Sequence, residues 1–245
     1  MTDTSTTGPR TLARLAGLLY LILAVLGGWA QLEARGSLLV AGDAARTAAN
    51  IVEHETLFRL GLVADILMAT VFVLLGLVLH RLLHHVHERA ATALLVFVSV
   101  GAGSILINLT FHVGALLTAT RPGYSAEQVL LLLDLHQQGY VLGGVFFGLW
   151  LLPMGYLAWR SELLPSWLGV LVMVAAVAWV ADPLLAFGLP DAPALIRTLV
   201  EVPTSVGEFG LMLYLLILGV RPQRGTRQSQ RSPSATPDRN PVTTA

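Results

Sequence analysis

Cysteine and lysine are absent from this chain of 245 residues, and only 12% of its residues are charged. Without cysteine there is no disulfide, no thiolate nucleophile and no sulfur-ligated metal site, so any bound metal would rest on histidine and carboxylate. Soluble domains carry roughly 25% charged residues. With 55% hydrophobic residues and a mean hydropathy of +0.70, a soluble domain of this length could not hide its apolar surface. The formal net charge is zero, which leaves no basic footprint for nucleic acid.

What the chain has instead is long apolar sequence. Six stretches, roughly 12–32, 57–83, 91–118, 139–159, 167–187 and 199–220, each supply the about 20 residues that a membrane crossing requires. Short loops join them. The expected fold class is all-α: a polytopic transmembrane helix bundle of six spans. Its domain plan is a disordered N-tail over 1–11, a membrane domain over 12–220 and a disordered Arg-rich tail over 221–245, whose Arg, Gln, Ser, Pro and Thr show no apolar periodicity.

Arginine placement orients the bundle, because short cytoplasmic loops concentrate basic residues. If the N-terminus, the turns after the second and fourth spans and the C-terminal tail are cytoplasmic, ten arginines lie inside and five outside. The outer five, Arg35, Arg46, Arg59, Arg121 and Arg197, sit among acids. Both termini are therefore expected in the cytoplasm and the chain in the plasma membrane, with the lipid bilayer as its partner. The first span, preceded by Arg10 and Arg14 and ending near Gly28-Trp29-Ala30, resembles a secretory signal, but it exceeds the about 7 to 15 apolar residues of one and is read as uncleaved. Trp159 and Trp167 mark the inner interface, and Trp29 and Trp179 the outer.

With that orientation, the polar residues inside the spans fall toward the outer side. Polar groups in hydrocarbon are costly and mark either a functional site or pairing within the bundle. Arg59 and Asp65 open the second span, Glu201 and Glu208 the sixth; Asn108 and His112 lie late in the third, Asp182 late in the fifth; Gln31 and Glu33 finish the first; Asp134 and His136 lead into the fourth. The second span tolerates Asp65. Its 15 Leu, Ile, Val and Phe between Leu60 and Leu83 favour insertion by about 4.5 to 9 kcal/mol, against about 3 for a central Asp.

The candidate ligand or ion residues are Glu33, Arg59, Asp65, Asn108, His112, His136, Asp182, Glu201 and Glu208. Each also has a purely structural reading. Glu55 and Arg59, four apart, form an interfacial pair; Asn108 is interhelical glue; the remaining acids and histidines can satisfy one another. Pro203 lies near Glu201 and Glu208 and frees backbone carbonyls, while Pro183 after Asp182 predicts that the fifth helix ends or bends there. Pro153 predicts a bend in the fourth. Two clusters read as structural. His80, His84, His85 and His87 sit beside Arg81 and Arg89 on a hydrated interface, and Gly139, Gly143, Gly144 and Gly148 make two interleaved patterns for close helix packing.

Several short motifs resemble a family of prokaryotic integral membrane proteins known as domain of unknown function 4386. They are Ala16-Gly17-Leu18-Leu19-Tyr20, Arg35-Gly36-Ser37-Leu38, Gly42-Asp43-Ala44-Ala45 with Asn50, Leu57-Phe58-Arg59-Leu60-Gly61 with Asp65, Asp134-Leu135-His136 with Gly139-Tyr140, Phe146-Phe147-Gly148, Arg160-Ser161 with Leu164-Pro165, Leu168-Gly169-Val170-Leu171, Asp182 and Gly207-Glu208. The resemblance runs from about residue 10 to 220. Where such proteins tend to carry Phe-Arg in the third helix, this chain has Phe97-Val98. The resemblance implies topology and supplies no chemistry.

Three functions stay open. The outer polar layer forms a pocket for a small ligand, proton or cation in a transporter-like, sensor-like or accessory protein; or His112 and His136 with Asp182 or another carboxylate hold a metal in a membrane-embedded hydrolase; or the layer only fixes packing. No cofactor is identified, no catalytic residue is assigned, and a homo-oligomer stays open.

Overall fold

The computed structural model describes residues 8–221. The expected tails before residue 8 and after residue 221 lie outside the described residues. Seven helices follow one another: α1 (Pro9–Trp29, prolonged by π-helical turns Ala30–Arg35), α2 (Ala44–Glu53), α3 (Glu55–Leu83), α4 (Glu88–Thr120), α5 (Ala126–Arg160), α6 (Ser166–Gly188) and α7 (Ala194–Leu213, prolonged by π-helical turns Tyr214–Leu218). No strand occurs among the described residues. All but α2 are long and apolar enough to cross a membrane. The chain is an all-α polytopic bundle.

Helix starts lie upstream of the apolar stretches. Proline suits the first helical turn because its missing N–H has no partner there anyway, so α1 begins at Pro9 and takes in the last residues of the expected N-tail. Helix α5 begins at Ala126, well before residue 139. Ser125 and Gln128 form a reciprocal capping box, a pattern that satisfies two orphan donors. The 35 residues of α5 extend about 52 Å at about 1.5 Å each, well beyond the about 30 Å hydrocarbon core.

Prolines 153, 183 and 203 all lie inside continuous helices. Of the two outcomes expected at Pro183, an end or a bend, the end does not occur, since α6 runs on to Gly188. A proline deletes one ladder bond, and Leu184, Leu185 and Phe187 continue the apolar surface beyond it.

Neighbours in sequence pack as neighbours in space, α1 on α3, α3 on α4, α4 on α5, α5 on α6 and α6 on α7, and the π-helical end of α7 closes against α1. Glycine permits the closest of these approaches. Gly17 faces the backbone of Leu215 and Leu216. The two glycine patterns of α5 serve two partners: Gly139 and Gly143 face Asn108 and Ser104 of α4, while Gly144 and Gly148 face Trp179 and Ala176 of α6.

The first and last described helices meet on one side, where Gly219 lies against Arg10 and Arg14 and the Arg221 amide donates to the Leu163 carbonyl at 2.8 Å. The half of the bundle on that side is filled by one apolar cluster, including Leu75, Leu79, Leu94, Leu151, Met154, Leu168 and Leu211. On the opposite side α2 lies over the ends of α3, α4 and α5. It seals a smaller cluster of Leu38, Ile51, Phe58, Leu116, Val129 and Leu133. Buried Thr47 locks α2, accepting from the Val40 amide at 3.0 Å, and Asn50 donates to the Leu38 carbonyl at 3.1 Å. His87 caps α4 by accepting from the Ala90 amide at 3.1 Å.

Candidate functional site

Between the two apolar clusters lies a polar knot. It is assembled by the π-helical end of α1. That widened turn carries Arg35 inward to 4% exposure, and such turns recur at functional sites. Gln31, one turn earlier, accepts from Arg35 Nη2 at 2.9 Å and from Nε at 3.3 Å, which fixes the guanidinium plane. Nη1 then donates to Asp65 of α3 in a buried ion pair. Tyr140 of α5 donates its hydroxyl to the other Asp65 oxygen at 3.1 Å, and its ring lies 5.9 Å below the guanidinium carbon.

Two imidazoles complete the knot. His112 of α4 places Nε2 at 3.3 Å from the Phe58 carbonyl and Nδ1 at 3.5 Å from Arg35 Nη1. A carbonyl can only accept and a guanidinium can only donate, so these contacts assign the neutral tautomer with the proton on Nε2. Phe58 covers the ring at 4.1 Å between centroids. His136 of α5 meets His112 edge-on at 5.4 Å, and its Nε2 is buried without a partner among the described residues. Asn108 donates to the His136 carbonyl at 2.8 Å, and its amide fills the place a side chain at Gly139 would take. Asp65 and His112 are 0% exposed and His136 2%. One ligand atom from each of these three lies within 4.8 Å of the others.

The structure sorts the nine sequence candidates into three environments. Asp65, Asn108, His112 and His136 form the knot. Asp182 and Glu208 line cavities beside it. Glu33, Arg59 and Glu201 are exposed; Arg59 pairs with Glu55 at 2.5 Å, the interfacial pairing that its spacing allows. The carboxylate grouped with the two imidazoles is Asp65, whereas Asp182 lies across Arg35 and Gln31 in the neighbouring cavity. By sequence alone Arg35 falls in a loop and Trp179 at the interface, and no local pattern pairs Tyr140 with Asp65. Trp179 turns inward and donates to Glu208, which also accepts from Tyr20.

Three cavities border one another along the bundle. The first, of about 300 Å³, is lined by Gln31, Arg35, Gln137, Tyr140 and Asp182 with apolar neighbours, and a Gln31 to Gln137 hydrogen bond of 3.0 Å crosses it. The second, of about 140 Å³, shares Met68, Tyr140, Phe147 and Trp179 with the first and reaches Glu208. The third, of about 220 Å³, shares Tyr20, Leu23, Trp179 and Glu208 with the second and adds Thr204, Ser205 and Met212. The arrangement combines a closed, charge-compensated knot with an adjoining chamber whose walls are polar at one end and aromatic at the other.

The family described as Domain of unknown function (DUF4386) matches residues 15–219. An uncharacterized protein of Archaeoglobus fulgidus is 44% identical over 46 residues, which are 19% of this chain and 28% of that protein; the match thus spans under a third of the relative's length. No solved structure matches the chain. The chain belongs to the DUF4386 family.

Proposed function

We propose that this member of the family resides in a prokaryotic plasma membrane with both termini in the cytoplasm, and takes a small ligand into the cavity opposite them. The observation that carries this reading is the succession of shared walls from Gln31, Arg35 and Asp182, through Tyr140 and Trp179, to Glu208. The arginine bias toward the side of the termini supports the orientation. A transporter needs a path through both halves, and the apolar cluster around Leu75, Leu151 and Met154 fills the half nearer the termini. A sensor-like or accessory role therefore fits better than transport. The absence of native cysteine permits a clean test with Gln137→Cys and Asp182→Cys. Both should react with a membrane-impermeant thiol reagent added outside intact cells, and Asn108→Cys should not. Reaction only after the cytoplasmic side is opened would overturn the orientation, and no reaction from either side would overturn the open cavity.

A second reading rests on the grouping of Asp65, His112 and His136. Catalytic zinc takes three protein ligands and a water, and the unpartnered Nε2 of His136 suits a ligand position. A hydrolase built there would act on a substrate entering from the membrane. Arg35 stands against this reading, because its guanidinium already occupies the space between Asp65 and His112 Nδ1. Stoichiometric zinc in purified protein, abolished in His136→Ala, would favour it.

A further inference from the structure

Five aromatic rings and one carboxylate close a loop around the second cavity. Tyr20 meets Trp150 edge-on at 5.8 Å, Trp150 meets Phe72 at 5.6 Å, Phe72 meets Phe147 at 6.3 Å, and Phe147 meets Trp179 at 5.6 Å. Glu208 joins the ends, accepting from the Tyr20 hydroxyl through Oε2 and from the Trp179 indole through Oε1. All six residues line the cavity. They come from α1, α3, α5, α6 and α7, so the loop exists only in the assembled bundle. It is separate from the knot, whose ion pair is complete without it.

The carboxyl of this loop has no partner of opposite sign. Among the described residues the ion pairs are Arg35 with Asp65 and Arg59 with Glu55, and no cation faces Glu208. Its two hydrogen bonds use half of the about four lone-pair positions a carboxylate offers. A cation drawn into an aromatic chamber gains from the ring quadrupoles as well as from the carboxylate, and this combination selects a large, weakly hydrated ammonium over a metal ion. Size agrees. The cavity holds about 140 Å³, close to the about 150 Å³ that accepts a benzene in an engineered apolar core, which suits a trimethylammonium head. The third cavity, bounded by Leu23, Phe209 and Met212, leaves room for an apolar substituent.

We propose that Glu208 and the ring of Tyr20, Phe72, Phe147, Trp150 and Trp179 bind a quaternary ammonium head. This deepens the ligand-binding reading and rests on it. The full chain in lipid nanodiscs is titrated, by its tryptophan fluorescence, with choline chloride and with 3,3-dimethyl-1-butanol, the uncharged isostere in which carbon replaces nitrogen. The choline cation should bind at least about tenfold more tightly than the alcohol. Glu208→Gln, and separately Trp150→Leu, should remove that preference. Equal affinity for both probes in the unmutated protein overturns the proposal and leaves the general cavity reading standing. Absence of choline binding in the unmutated protein overturns it as well, and the accessibility of Gln137→Cys then decides the general reading on its own. Because the deciding comparison uses the unmutated protein, a variant that fails to fold does not rescue the proposal.

Discussion

Arg35, carried inward by the π-helical end of α1, donates to Asp65 of α3 in an ion pair sealed from solvent on both sides. The pair links the two helices at the level where α4 and α5 bring in His112 and His136. Three further contacts hold these two charges and the imidazole beside them. Gln31 sets the guanidinium, Tyr140 holds the carboxylate, and the Phe58 carbonyl fixes the imidazole that faces Arg35.

Breaking a buried pair from one side leaves an uncompensated charge, at a cost of about 3–5 kcal/mol, whereas replacing both partners by apolar groups is often close to neutral. Asp65→Leu and Arg35→Met should each destabilise the bundle by that amount. The double substitution should be clearly more stable than the sum of the two predicts, despite the loss of partners for Tyr140 and Gln31. Reversible unfolding in mixed micelles, run as a double-mutant cycle, measures the coupling. Additive effects would mean that the two side chains do not depend on each other.

The architecture was legible in the sequence because its signal is repeated. Six apolar stretches and the glycine spacing in α5 each draw on many residues, and the spans lie where hydropathy puts them. The helix beginnings were not, because they depend on polar caps outside the apolar stretch, as with Ser125 and Gln128 at the start of α5. The place of Arg35 is hidden for a related reason. Past Leu32 the sequence turns polar and reads as loop, and only the widened turn at Ala30–Arg35 keeps it helical. The spacing of Gln31 and Arg35, four apart, was the available signal. Trp179 follows the usual interfacial habit of tryptophan, and nothing local indicates that Glu208 on another helix draws it inward.

The packing of α5 on α6 yields a paired prediction. A side chain at Gly155 would meet the Gly169 carbonyl oxygen at 2.8 Å and the Met173 amide at 2.9 Å, both backbone atoms, whereas at Gly103 it would meet nothing within 4 Å. Gly155→Ala should therefore destabilise by about 1–3 kcal/mol through overpacking. Gly103→Ala should stabilise by up to about 1 kcal/mol, since alanine restricts the unfolded chain more than glycine does. Thermal midpoints of the two variants should move in opposite directions.

Thr47 anchors α2 through a hydroxyl that accepts from the Val40 amide at 3.0 Å and donates to the Val40 carbonyl at 3.3 Å. Thr47→Val keeps the shape and removes both bonds. Leaving the amide unpaired costs about 1–3 kcal/mol, and the loss is local to the cover over Phe58 and His112. Amide hydrogen exchange should accelerate across residues 38–53 and stay unchanged in the middle of α5. Uniform acceleration throughout the bundle would show that α2 is not an independently opening unit.

The two readings of the knot differ in what Arg35 does, and this makes the metal question decidable. If the guanidinium is the permanent counterion of Asp65, a divalent cation must displace it from between Asp65 and His112 Nδ1, and like charges at that distance oppose both occupying the knot. The native protein should then hold far less than one zinc per chain after dialysis against a zinc buffer. Arg35→Gln removes the charge and frees the carboxylate and Nδ1, while His136 still offers its unpartnered Nε2. Zinc content, measured by elemental analysis of the dialysed protein, should accordingly rise in Arg35→Gln and fall back in Arg35→Gln with His136→Ala. Full zinc occupancy in the native protein would instead require that Arg35 leave Asp65 when metal enters, and the ion pair would no longer be the organising contact of the bundle.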